Sequence, residues 1–98
     1  MLRNRIEISA HIHGATGTFA RRRGIVGLDR VGEGSYVLLF PPDKIVRTDQ
    51  FHFWITPIGD APRLPVLVPL SGATVGVRIF DETGRPADSD FLIAAERI

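Results

Sequence analysis

The sequence predicts an all-β domain, an antiparallel β-sandwich of about seven to eight short strands. Three observations carry this. Apolar and polar residues alternate with period two through several short segments. Ten glycines and seven prolines punctuate the chain, with a break about every 8 to 15 residues, which suits strands joined by turns. No apolar stripe of helical period reaches a useful length. With 98 residues there is material for one core only, so residues 1–98 form a single domain.

The first strand runs from Arg5 to His13, where Ile6, Ile8, Ala10 and Ile12 alternate with Glu7, Ser9, His11 and His13. Gly14-Ala15-Thr16-Gly17 makes a turn or bulge. Thr18 to Arg23 carries Phe19 and the Arg21-Arg22-Arg23 run, and Gly24 to Val31 carries Ile25, Val26 and Leu28. After the turn Gly32-Glu33-Gly34 comes Ser35 to Phe40. Here Tyr36, Leu38 and Phe40 share one face and Val37 and Leu39 the other, the pattern of a strand covered on both sides.

Pro41-Pro42-Asp43 ends that strand, and Lys44 to Gln50 reads as a loop. Phe51 to Thr56 alternates Phe51, Phe53 and Ile55 with His52, Trp54 and Thr56, and Pro57 to Arg63 turns the chain. Leu64 to Leu70 holds Pro65 and Pro69, which cannot donate to a ladder, so it is an edge strand or an irregular arm. Ala73 to Phe80 alternates again, Asp81 to Asp90 is a polar loop, and Phe91 to Glu96 closes the fold.

Composition narrows the function classes. Twelve basic against eleven acidic residues leave a net charge of +1, which argues against a dedicated nucleic-acid binder. The absence of cysteine excludes disulfides, thiolate metal sites and cysteine nucleophiles. The N-terminal arginines are followed by no apolar h-region, and no window approaches the roughly 18 apolar residues of a membrane span. A soluble protein made in a cytoplasm is the expectation.

No segment carries an enzyme signature. Ser9, Ser35, Ser71 and Ser89 lie outside any G-x-S-x-G context, and there is neither a P-loop nor a dinucleotide fingerprint. His11 and His13 are the candidate metal pair, since alternate strand residues point the same way about 6 to 7 Å apart. Zinc takes three or four ligands, and His52 is the one further histidine, so two polar side chains on a surface face is the plainer use. Three consecutive arginines on a strand project to both faces, and a solvated edge that discourages sheet pairing explains them better than one anion site. Asp81, Glu82, Asp88 and Asp90 crowd the loop around Gly84-Arg85-Pro86 without EF-hand spacing; aspartates bonding their own backbone account for them. No cofactor is expected.

The order of segments resembles bacteriophage tail-fibre and virion-decoration modules. The carriers are Gly14-Ala15-Thr16-Gly17 with Arg30-Val31-Gly32-Glu33-Gly34-Ser35-Tyr36-Val37-Leu38-Leu39-Phe40, then Phe51-His52-Phe53-Trp54-Ile55-Thr56-Pro57. Val77-Arg78-Ile79-Phe80-Asp81 and Gly84-Arg85-Pro86-Ala87-Asp88-Ser89-Asp90-Phe91 complete the series. The likeness covers residues 14–96, with 1–13 as an N-terminal strand or arm. It implies a β-sandwich similar to the H-type lectin fold, assembled as a homotrimer, without enzymatic activity, and located in the virion. Its partners would be copies of itself and other virion proteins. The absence of a long shaft ahead of the module favours a free-standing head or tail decoration protein over a complete fibre.

The proline-bearing segment supports an assembly role on its own. Leu64, Val66, Leu67, Val68 and Leu70 occupy both faces of it, so it is the candidate subunit or partner interface. About 700 Å² of apolar burial per subunit would supply a gross term of about 17 kcal/mol before entropy losses. The alternative function is a lectin or adhesin for host surface glycans, with His52, Trp54, Arg78, Asp81 and Asp88 as candidate contacts.

Overall fold

The computed structural model describes residues 6–41, 51–70 and 72–97. The segment read as a loop from Lys44 to Gln50 lies outside the described residues. Eight strands are present: β1 Ile6–His13, β2 Thr18–Arg23, β3 Gly27–Gly32, β4 Ser35–Leu39, β5 Phe51–Ile58, β6 Leu64–Pro69, β7 Thr74–Phe80 and β8 Asp90–Arg97. They form two four-stranded sheets, ordered β2-β1-β8-β5 and β3-β4-β7-β6. Every pairing is antiparallel. The molecule is the β-sandwich that the alternation predicts.

The core follows the period-two pattern. Ile8, Ala10 and Ile12 of β1 and Phe91, Ile93 and Ala95 of β8 point inward from the first sheet. Tyr36 and Leu38 of β4, Phe40 just beyond it, and Val75, Val77 and Ile79 of β7 point inward from the second. Tyr36 packs on Phe91 across the sandwich with ring centroids 5.1 Å apart. Phe53 sits between Phe40 and Phe51, at 5.9 and 6.4 Å. The central strands of each sheet therefore supply most of the fully buried side chains, and the edge strands supply buried Phe51 and partly buried residues such as Phe19, Leu28, Phe53, Ile55 and Leu67.

Three sequence expectations are corrected in detail. β5 continues through Pro57 to Ile58 instead of turning there. It is the edge of its sheet, where only alternate N–H groups enter the ladder, so a proline is tolerated. β3 starts at Gly27, later than expected, because Gly24 takes a positive φ of 76° and breaks the extended backbone. β4 is covered on one face only within the chain: Tyr36 and Leu38 are fully buried, but Leu39 keeps 40% of its surface exposed.

β6 is an edge strand in unbroken register with β7 from Leu64↔Phe80 to Pro69↔Val75. The Leu70 N–H, just past β6, donates toward β7 at the Thr74 carbonyl. By the strand alternation the N atoms at 65, 67 and 69 therefore face the open edge. Two of those three positions are proline, so the prolines cost the sheet no hydrogen bond and leave its free edge nearly without donors.

Two glycines are fixed by close approach. Gly34 adopts a positive φ of 66° in the β3–β4 turn, and a Cβ there would lie 2.7 Å from the Ala87 backbone N. Gly14 abuts the Ser89 backbone so closely that any Cβ would overlap it. Gly34→Ala is expected to lower the unfolding free energy by about 2–4 kcal/mol, from left-handed strain plus overpacking. Urea denaturation followed by far-UV circular dichroism measures this, with Gly84→Ala as a comparison in open space.

Candidate functional site

The residues between β7 and β8 close one end of the sandwich through a single carboxylate. Asp88 Oδ1 accepts from the Gly34 backbone N–H at 2.8 Å, from the Tyr36 hydroxyl at 2.9 Å and from Arg30 Nε at 3.2 Å. Its Oδ2 accepts from Arg30 Nη2 at 2.7 Å, so the guanidinium grips the carboxylate with both arms. The Tyr36 hydroxyl also lies 3.0 Å from the Gly14 carbonyl, and its one proton is shared between the two acceptors. Asp90 Oδ1 accepts from the Gly14 N–H at 2.9 Å. The β1–β2 turn, the β3–β4 hairpin and the 81–90 loop are thereby tied together.

The electrostatics follow from this geometry. The Arg30 guanidinium, then the Gly34 N–H and the Tyr36 hydroxyl, hold the Asp88 carboxyl below the usual carboxylate range against the opposing effect of burial. Burial first, and the adjoining Asp88 second, push the Tyr36 phenol up to about 12. Asp81 is drawn down as well, by the Thr83 hydroxyl and by the backbone N–H groups of Arg85 and Thr83. Its Oδ1 receives all three, at 2.6, 3.1 and 2.8 Å. Asp81 and Asp88 thus shape the end loop, Asp88 through both carboxylate oxygens and Asp81 through Oδ1. Only Asp88's role in anchoring glycine turns depends on long-range packing; Asp81 follows the local turn chemistry expected of aspartate.

The remaining sequence candidates divide between the two outer faces. His52 and Trp54 project outward from β5 on the first sheet, with ring centroids 6.2 Å apart and Trp54 49% exposed. His11 and His13 project outward from β1 on the same sheet, 5.6 Å apart. His13 Nδ1 lies 3.7 Å from Asp90 Oδ2. Among the described residues no group of three or more histidines and carboxylates is placed to hold a metal. Arg78 projects from β7 on the opposite, second sheet. His52 and Trp54 are brought together; Arg78, Asp81 and Asp88 are not brought to them.

The proposed interface residues split by alternation. Leu67 turns inward and packs on the core. Leu64, Val66, Val68 and Leu70 alternate to the outer face, where Leu64 is 62% exposed. There they join Val37 and Leu39 of β4 and Val31 of β3. The register sets Val37, Gly76 and Val68 side by side across three strands. Gly76 leaves a dip that Leu70 partly fills: its Cδ1 would lie 3.7 Å from a Cβ at Gly76. Of the outward positions on these four strands, only Asp29 and Arg78 are charged. The sequence reads Val37 and Leu39 as the second apolar face of a strand covered on both sides; their exposure, and their union with β6 into one face, depend on strand order.

No protein-family model, curated protein or solved structure matches the chain. The resemblance to virion modules therefore rests on the order of motifs.

The end lock makes stability pH-dependent in a defined direction. A tyrosine whose folded pKa lies above its unfolded value contributes its full stability below about pH 10, lost progressively as pH rises through about 12. Depression of the Asp88 pKa acts in the opposite sense, with stability present above the ordinary carboxylate pKa and lost as pH falls through the lower folded value. Denaturant midpoints measured from pH 8 to 12 are expected to fall for the wild type and to fall less for Tyr36→Phe. At pH 7, Asp88→Ala is expected to cost about 1–3 kcal/mol, because it strands the Gly34 N–H and leaves the Tyr36 hydroxyl with the Gly14 carbonyl as its one acceptor.

Proposed function

We propose that this protein is a non-enzymatic structural module that assembles with copies of itself, as a homotrimer, and serves as a decoration or fibre component of a bacteriophage virion. The observation that carries the assembly reading is the outer face of the β3-β4-β7-β6 sheet. It gathers exposed Leu39, Leu64, Val66 and Leu70 around one acid and one base. A contiguous apolar face of this kind is stabilised by removal from water. Three such sheets around a three-fold axis would seal these faces into a shared apolar prism. Asp29 and Arg78, one of each sign on the same face, suit contact between identical copies.

The edge chemistry supports face-to-face docking over strand addition. The open side of β6 is blunted by Pro65 and Pro69, and the open side of β2 carries the exposed Arg21-Arg22-Arg23 run. The assignment to a virion is supported by the motif order given above.

Sedimentation equilibrium at micromolar concentration is expected to give three times the chain mass of 10.8 kDa. Val66→Lys is expected to reduce this to the single-chain mass while leaving the far-UV spectrum unchanged. A wild-type protein that sediments as one chain overturns the assembly reading. Reading frames for capsid, portal or baseplate proteins beside this one support the virion assignment, and a neighbourhood without any overturns it.

A further inference from the structure

The Arg21-Arg22-Arg23 run, which the assembly reading uses only as a guarded edge, is divided by the sheet in a way that creates a second surface. Ala10, opposite Arg22, is an inward residue. Arg22 accordingly lies along the flank of the sandwich, its guanidinium 5.0 Å from the Phe19 ring centre and donating to the Val26 carbonyl at 3.2 Å. Arg21 pairs with His11, and Arg23 with Ser9. Both arginines therefore project from the outer face of the β2-β1-β8-β5 sheet. Neither has an ion pair or a hydrogen bond with a described residue.

The register continues across the sheet. Arg23 lies opposite Ser9, Ser9 opposite Ala94, and Ala94 opposite Trp54. One row of the face thus has a cation at one end, two small side chains in the middle and an exposed indole at the other end. At about 4.8 Å per strand, roughly 14 Å separates the end Cα atoms. The next row sets Arg21 opposite His11 and His11 opposite Leu92. A trough of about 280 Å³ opens over Ser9 and Ala94, walled by Arg21, Arg23, His11 and Leu92. That is just under the range of about 300–1,000 Å³ typical of small-molecule sites, which is room for one or two sugar rings.

We propose that this trough binds an acidic saccharide, a short glycan bearing a carboxylate or a sulfate. The two unpaired guanidiniums, borne on alternate positions of one strand whose Cα atoms are about 7 Å apart, grip the anionic group through paired N–H donors. The small floor lets a ring lie flat, and the indole of Trp54 takes its apolar C–H face at the open side. Among the side chains described, the acids on this face are Asp90 and Glu96. Asp90 is occupied by the Gly14 N–H, with His13 beside it. Glu96 lies one row beyond, opposite His52, within reach of sugar hydroxyls. Two arginines among such acids suit a single acidic ring; a polyphosphate backbone would meet too little positive charge. The trough lies on the opposite side of the sandwich from the proposed assembly face, so it stays open whether or not copies associate.

Trp54 is the one tryptophan of the chain, and it stands beside Ala94 on the neighbouring strand, so its emission reports on a sugar that reaches across the row. The full-length protein is titrated in 150 mM NaCl with sialyllactose, a hyaluronan tetrasaccharide and a heparin-derived tetrasaccharide, against lactose and chitotetraose as neutral controls. A saturable change in emission is expected with at least one acidic sugar and with neither neutral one. In the double variant Arg21→Gln/Arg23→Gln the affinity is expected to fall at least tenfold, whereas Arg85→Gln, in the distant end loop, leaves it unchanged. No saturable change with any of the three acidic sugars overturns the proposal. So does an equal response to the neutral ones, or undiminished affinity in the double variant. The chain mass is read separately, so loss of the oligomer and loss of sugar binding are distinguishable.

Discussion

The carboxylate of Asp88 is the constraint on which this end of the structure depends. A two-layer sandwich is held along its length by apolar contact, which is non-directional and does not dictate how loops leave the strands. Direction comes from one anion that accepts from a backbone N–H, a phenol and a guanidinium. Because Tyr36 is also the largest fully buried side chain, the polar lock and the apolar core share a residue. Its ring packs on Phe91 of the other sheet while its hydroxyl ties the loops. Among the described residues no buried side-chain nitrogen or oxygen lacks a partner, so the lock brings a polar group inside without leaving a donor or acceptor unmet.

Much of the fold was legible because strand alternation is a local signal. Tyr36, Leu38 and Phe40 share one face whatever lies opposite them, and so do Val75, Val77 and Ile79. The prolines of β6 marked an edge for a purely covalent reason, the missing N–H. Strand ends were less legible. Pro57 looks like a stop signal until the sheet order makes β5 an edge, and Gly24 shortens β3 through a backbone angle that composition does not reveal.

The site was legible only in parts. Alternation alone separates Leu67 from Val66 and Val68, yet it cannot tell which flank of the segment meets the core. Asp88 carries no local mark that distinguishes it from Asp90 or Glu82, because its three donors come from residues more than 50 positions away. Gly14 and Gly34 read as ordinary turn glycines, and the backbone of 87–89 pressing on them belongs to tertiary packing. The row from Arg23 to Trp54 is equally non-local. It joins four strands drawn from both ends of the chain, and only the order β2-β1-β8-β5 makes neighbours of them.

The two prolines on the rim of β6 carry a consequence for how the chain survives crowding. A sandwich has open rims, and a rim with a full set of amide donors can template the cross-β stacking of one molecule on the next without limit. Pro65 and Pro69 interrupt that template at alternate positions while Leu64, Val66 and Val68 keep their greasy outward side. Stickiness is thereby confined to a surface of finite size, and growth into fibrils is opposed on a rim whose apolar sequence would otherwise invite it.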